Sequence, residues 1–415
     1  MAKAQTADLA LMRELNERTI LDHIRTDGPI SRAELARRSR LSRSTVSSII
    51  TDLLAHNLVC ETGVGHSMGG RRPIMVEFNY QSSYVIGVDL AATALTVLLT
   101  DLQANVLQRI HRSLRSATNI ESYVQQVVAA IHHVLDTGNI PASQISGVGV
   151  GVPGPLSNGS VQSAYVVDLP NYPRVPLQSL LEQVLGLRVY LENDANLGAL
   201  AEHRWGSAQG WENVAYIYLG VAGIGAGLIL DGQLYRGDIG VAGEIGHLVV
   251  EYHQPAMTNG MHGDLQRFAS TSALLEQAHN HGLPCTSIEE VIEQAYQNDE
   301  NAIAIIGEAG ERLGMAIASV LNLLNPGRIV LGGNLSAAGP LLFDPLYQTL
   351  RQHSLPLVAN HVNILPGMLG EDVVAIGAVS LVVQHVFDTP SLLHTTSAAH
   401  HKCSTGFTSR LGIKY

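Results

Sequence analysis

Glu192-Asn193-Asp194 follows Leu187-Arg188-Val189-Tyr190-Leu191, a short, apolar-rich, β-leaning stretch. It precedes Ala195 to Trp205, which is rich in Ala and Leu at helical spacing. A carboxylate and an amide therefore sit where a strand ends and a helix begins, the place where open α/β sheets hold ligands. Asp194 can accept a hydrogen bond from a hydroxyl and can remove its proton. Asn193 can both donate and accept, which suits a sugar hydroxyl. Either residue is equally fit to cap the helix, and spacing alone leaves both readings open.

The elements around this stretch repeat. Tyr84 to Val88 reads as a strand, Asp89-Leu90-Ala91-Ala92-Thr93 as a small-residue loop, and Ala94 to Thr100 as a second strand. Val214 to Leu219, the run Gly220 to Gly227 and Leu228-Ile229-Leu230 follow the same order. The duplication predicts two related lobes around a cleft. Strands Ile145 to Val152 and Arg328 to Leu331, with a long helix Ala302 to Leu324, add α/β character. Opposed small-residue loops can hold nucleotide phosphates, although many such loops simply make tight turns.

The first 80 residues read differently. Glu14 to Thr26 is a helix broken at Asp27-Gly28-Pro29. Ser31-Arg32-Ala33-Glu34 has capping-box form and opens a short helix. After a tight turn, Ser42 caps a helix from Arg43 to about His56, with an apolar stripe of Val46, Ile49, Ile50, Leu53 and Leu54. Its outward residues, Arg43, Ser44, Thr45 and Ser47, suit a major groove. Two strands around a Gly-rich tip make a wing with Arg71 and Arg72 at its base, placed to contact phosphate or a narrow minor groove. Residues 31–75 carry a net charge of +4, whereas the body after residue 78 carries −13 of the chain's −11 total. A basic head on an acidic body implies an anionic partner at the head alone.

The 415 residues are 46% hydrophobic and 15% charged, enough for two or three domains with sizeable cores. No apolar run reaches the ~18 residues of a membrane span. The N-terminus lacks an apolar signal core, so a cytoplasmic location is expected.

The chain resembles the ROK family of bacterial repressors and sugar kinases. The head residues that carry this are Ser31 to Ala36, Leu41 to Ser47 and Gly69-Gly70-Arg71-Arg72-Pro73. In the body they are Gly149 to Pro155, Glu192 to Asn196, Gly223 to Gly227, Gly240 to His247, Asn325-Pro326 and Leu331-Gly332-Gly333. The resemblance implies an α/β protein: an N-terminal winged helix-turn-helix followed by a two-lobe, actin-like (ribonuclease H-like, duplicated) ATPase-type domain. The expected divisions are 1–80 for the head and 81–195 for the first lobe, completed by a helix at about 372–390. The second lobe spans 196–371, and 391–415 is a disordered tail. The resemblance further implies that Asn193, Asp194, Glu244 and His247 hold sugar hydroxyls, with Asp194 at the position of the kinases' catalytic base. A homodimer is expected, with its two heads on half-sites of operator DNA.

The family pattern also breaks. Its zinc-binding cysteines are replaced by Met257, Asn259 and Asp264, so no structural zinc is expected. Gln266 stands where sugar-binding members have Glu. In the first phosphate loop, Ala91, Ala92 and Ala94 replace two glycines and a basic residue, which obstructs phosphate approach and leaves Asp194 a vestigial base. The expected function is therefore a sugar-controlled repressor of carbohydrate-utilisation genes with no enzyme activity. Its rivals are an ATP-dependent sugar kinase and a regulator controlled by a protein partner.

Overall fold

The computed structural model describes residues 2–64, 72–91, 94–114, 119–157, 160–162, 174–221, 223–251 and 263–389. The expected wing tip, Arg71, Ala92, Met257, Asn259 and the tail from 391 lie outside them.

In the head, a helix runs Ala2–Asp27, starting a dozen residues before the sequence expectation. Ser31 caps the helix Arg32–Ser39 by accepting from Glu34 N at 3.2 Å. The expected capping box is only half made, because the Glu34 carboxylate binds Arg37 Nε at 2.8 Å and Arg38 Nε at 2.7 Å instead. Ser42 caps the helix Arg43–Ala55, accepting from Thr45 N at 3.1 Å. That helix buries Val46, Ile49, Ile50 and Leu53. Strands β1 (Ile30–Ser31), β2 (Val59–Val64) and β3 (Ile74–Phe78) form an antiparallel sheet in the order β1-β3-β2.

The body holds two five-stranded sheets of one topology. The first comprises β4 (Tyr84–Leu90), β5 (Ala94–Asp101), β6 (Val106–Ser113), β7 (Ile145–Val152) and β11 (Val189–Asn193). Short strands β8 (Leu156–Ser157), β9 (Ser160–Gln162) and β10 (Arg174–Val175) pair apart from it. The second comprises β12 (Val214–Leu219), β13 (Ile224–Leu230), β14 (Gln233–Tyr235), β15 (Arg328–Gly332) and β16 (Asn363–Pro366). Strand order is β11-β7-β4-β5-β6 in one and β16-β15-β12-β13-β14 in the other. In each sheet the first, second and third strands run as an antiparallel meander, and the fourth and fifth add in parallel on the far side of the first.

Two helices cross between the sheets. Asp194–Trp205, which follows the last strand of the first sheet, packs on β12 and β13 of the second. Val373–Asp388, which follows the last strand of the second, packs on β4 and β7 of the first. The two helices also pack on each other. Glycines make the approach possible. A Cβ at Gly149 of β7 would lie 2.2 Å from the Ala378 carbonyl oxygen, and one at Gly227 of β13 would lie 2.4 Å from that of Ala195. The run read as a loop from Gly220 to Gly227 is thus corrected: β13 begins at Ile224, and its glycines admit a helix.

The stretch Gly370–Asp388 is long and apolar enough to cross a bilayer, but 67% of it is buried inside the fold. It contributes Val379, Val382, Val383, Val386 and Phe387 to the core of the head, so head and body share one apolar cluster.

Candidate functional site

The site is built on the junction of β11 and its helix. Asn193 ends the strand and caps the helix: its Oδ1 accepts from Ala195 N at 2.9 Å and Asn196 N at 3.2 Å, and its Nδ2 donates to the Gly154 carbonyl at 3.2 Å. The capping role left open by the sequence is therefore realised for Asn193. Glu192, which sequence reasoning did not single out, locks the junction. Its Oε1 accepts from Asn193 N at 2.9 Å and Asn196 Nδ2 at 3.0 Å, and its Oε2 accepts from Arg236 Nε at 2.7 Å. Arg236 follows β14, so this pair bolts the first lobe to the second. No local pattern announces it, because the partners are 44 residues apart.

Asp194 is the first residue of the helix, and its Oδ1 accepts from Ala195 N at 2.8 Å. The carboxylate keeps partial access to solvent while protein surrounds it. Burial, with a smaller contribution from Glu244, pushes its pKa up to about 7. At the end of β4, Asp89 is raised to about 7 by burial and then by the charges of Asp194 and Asp372. Two carboxylates, from the ends of the strands on either side of β7, thus lie within each other's field. Folding raises both values above the ordinary 3.8. In that interval the folded chain holds protons that the unfolded chain has released, so stability falls as pH rises from about 4 to about 7. The variant Asp194→Asn removes one of the two charges. We expect thermal unfolding from pH 4 to 8 to show a flatter decline and a higher midpoint at pH 8 than wild type.

The second lobe supplies the opposite wall. Glu244 precedes and His247 ends the single turn Ile245–His247, and both are exposed. Burial raises the Glu244 pKa and His247 lowers it. His247 Nδ1 lies 3.5 Å from Oδ2 of Asp264, which is 1% exposed. Gln266 Nε2 donates to the same oxygen at 2.9 Å. Asp264 Oδ1 is buried without a hydrogen-bond partner. Gln266 Oε1 also borders Gly223, at the start of β13. Asp194 and Glu244 thus lie within each other's field, Glu244 lies near His247, and His247 and Gln266 meet at Asp264, with Asn193 bracing the junction before Asp194. The arrangement offers carboxylates, an imidazole and an amide to a polyhydroxylated ligand. Asp264, which stands in place of one of the family's zinc-binding cysteines, is engaged with His247 and Gln266.

In the head, Arg43 and Ser44 are exposed at the start of the second helix, whereas Thr45 and Ser47 are half-buried. The Thr45 hydroxyl is 2.8 Å from Ser42 Oγ. Arg72 is exposed just before β3. Arg40, which sequence reasoning missed, stands exposed in the turn between the helices with φ of 58°. Other head arginines are engaged by acids: Arg13 with Asp52, Arg32 with Glu61, and Arg37 and Arg38 with Glu34.

A ROK family model matches residues 85–385, and a winged helix-turn-helix DNA-binding model matches residues 13–59. The chain is 31% identical to the xylose repressor of Bacillus spizizenii, over 92% of this chain and 98% of that protein. It is 28% identical to the DNA-binding transcriptional dual regulator NagC of Escherichia coli, over 94% and 98%. Among solved structures, a ROK family transcriptional regulator described as a homologue of E. coli Mlc superposes with a TM-score of 0.80 at 25% identity, covering 93% of this chain and 99% of that one. A ROK glucokinase from Streptomyces griseus, in complex with glucose and AMPPNP, superposes with a TM-score of 0.63 at 26% identity, covering 72% and 99%.

Proposed function

The chain belongs to the ROK family and carries a winged helix-turn-helix head, and from that premise we propose that it is a transcriptional repressor of carbohydrate-utilisation genes, working in the cytoplasm. Its head reads operator DNA, and a sugar or sugar derivative bound between the lobes controls it. What supports the reading is that Asp194 of one lobe and Glu244 of the other lie within each other's field, in a body that shares an apolar core with its winged helix-turn-helix head. Of the repressors that match along nearly their whole length, several are named for xylose and others for N-acetylglucosamine. A twofold dimer would set two heads on the half-sites of a near-palindrome. The ligand would shift operator affinity by preferring one arrangement of the lobes.

The reading includes neither structural zinc nor sugar phosphorylation. Ala91 and Ala94 border the β4–β5 connection where glycines and a cation would serve a phosphate. A thermal-shift panel of sugars, sugar phosphates and ATP tests this directly. A sugar near 100 times its Kd adds about 2.7 kcal/mol of stability. We expect a shift with one sugar and none with ATP; a clear ATP shift, or ADP release in a coupled assay, would move the kinase reading to the front.

Once the sugar is found, Asp194→Asn should weaken its binding about 10-fold or more, since a hydrogen bond to a charged group contributes ~1.5–3 kcal/mol. Operator affinity without sugar should be unchanged. Undiminished sugar binding would take Asp194 out of the site.

A further inference from the structure

A cavity of about 790 Å³ lies between the head and the body; Asp194, Glu244 and His247 are not among its lining residues. Arg18 and Arg25 of the first head helix line one side. Arg204, Gln384 and His385, from the last turns of the two crossing helices, line the other. Two of the cavity's arginines are neutralised: Arg18 pairs with Asp388, and Arg236 with Glu192. Arg25 is paired more loosely, with Asp22 at 3.6 Å, a carboxylate that also lines the cavity; it lies over the Phe387 ring at 5.0 Å, and its Nε is buried without a hydrogen-bond partner. Arg204 has no carboxylate partner among the described residues and lies over the Trp205 ring at 5.0 Å. Burial, and then the charge of Arg25, hold the Arg204 guanidinium down at about 10. Two under-compensated guanidinium groups within reach of each other's field are costly to hold together unless an anion sits between them.

We propose that this cavity binds a small phosphorylated metabolite, its phosphate held between Arg25 and Arg204. Guanidinium forks match phosphate oxygens in geometry and charge. The volume exceeds what a bare phosphate fills, so the phosphate belongs to a sugar-sized ester. Arg204 sits near the last turn of the helix whose first residue is Asp194, and Arg25 belongs to the head. The ligand therefore ties the head to the same rigid element that ends in the cleft, and it does so whether or not the cleft takes a sugar.

Calorimetric titration of the full chain at fixed ionic strength tests this. The probes are inorganic phosphate, ribose 5-phosphate and fructose 1,6-bisphosphate, each ester against its parent sugar. We expect at least one phosphorylated probe to bind saturably and its parent sugar to bind no better at this site. Arg204→Gln removes one guanidinium, and Gln384→Glu places an anion in the wall from an exposed position that the fold tolerates. Each should weaken binding about 10-fold or more, as removal of a charge-assisted hydrogen bond implies. Asp194→Asn should leave it unchanged. Failure of every probe to bind, or binding that Gln384→Glu leaves intact, overturns the site. Abolished binding in Asp194→Asn with retention in Gln384→Glu would place the phosphorylated compound in the interlobe cleft and overturn it equally.

Discussion

Replacing Glu202 with alanine is expected to cost the fold about 3–5 kcal/mol, because three backbone donors lose a charged acceptor at ~1–3 kcal/mol each. Glu202 is fully buried, on the helix Asp194–Trp205. Its Oε2 accepts from Ser207 N at 2.7 Å, and its Oε1 accepts from Met368 N at 2.8 Å and Leu369 N at 3.0 Å. One carboxylate thus satisfies three backbone donors where the helix ends and where the chain leaves β16. Each donor left without a partner costs ~1–3 kcal/mol, and a water entering the space would recover part of that. Glu202→Gln retains an acceptor oxygen and should fall between wild type and alanine. Equilibrium denaturation of the three proteins measures the difference. A loss below about 1 kcal/mol would mean that these donors find water once the carboxylate is gone.

That carboxylate also marks the limit of what the sequence makes legible. Local rules suffice for the head: Ser31 and Ser42 are capping residues in form and cap in fact, and the stripe Val46, Ile49, Ile50, Leu53 faces inward. The duplicated body is legible from repeated strands, and the shared strand order bears this out. Glu202 gives no such signal, because its partners Met368 and Leu369 lie 166 and 167 residues away and are reached through backbone N–H groups that every sequence has. The Glu192–Arg236 bolt is hidden for the same reason. The glycines at the start of β13 are legible, but they serve packing rather than a loop. Gly223, Gly225 and Gly227 alternate, as do Gly147, Gly149 and Gly151 of β7. A period of two strips one face of a strand, and that face receives a helix in both sheets: a Cβ at Gly151 would lie 2.8 Å from Leu197 Cδ1, and one at Gly225 3.1 Å from Ala195 Cβ. Small residues at alternate positions signal close helix packing more directly than a phosphate loop.

Arg43→Ala together with Arg72→Ala is expected to lower operator affinity at least about 30-fold at physiological salt, at ~1–3 kcal/mol for each arginine that meets a base edge or phosphate. Both side chains are exposed, one at the start of the second helix of the helix-turn-helix and one at the root of the wing. Neither has an acidic partner among the described residues, so neither must leave an ion pair to meet DNA. Arg37 provides the contrast. It is 73% exposed but paired with Glu34, and Arg37→Ala should change affinity little, since an exposed pair contributes only ~0–1 kcal/mol. Gel-shift or fluorescence titration on the chain's own promoter DNA, at two salt concentrations, separates the roles of the two residues. If Arg72 binds phosphate, its removal should lower the salt slope by about 1, uniformly across sequences. If Arg43 binds a base edge, its removal should relax specificity at one position of each half-site and leave non-specific binding nearly intact. If the double variant bound the operator as tightly as wild type while Arg37→Ala did not, the DNA-facing surface would lie on the first short helix instead, and the assignment of the second helix to the groove would be withdrawn.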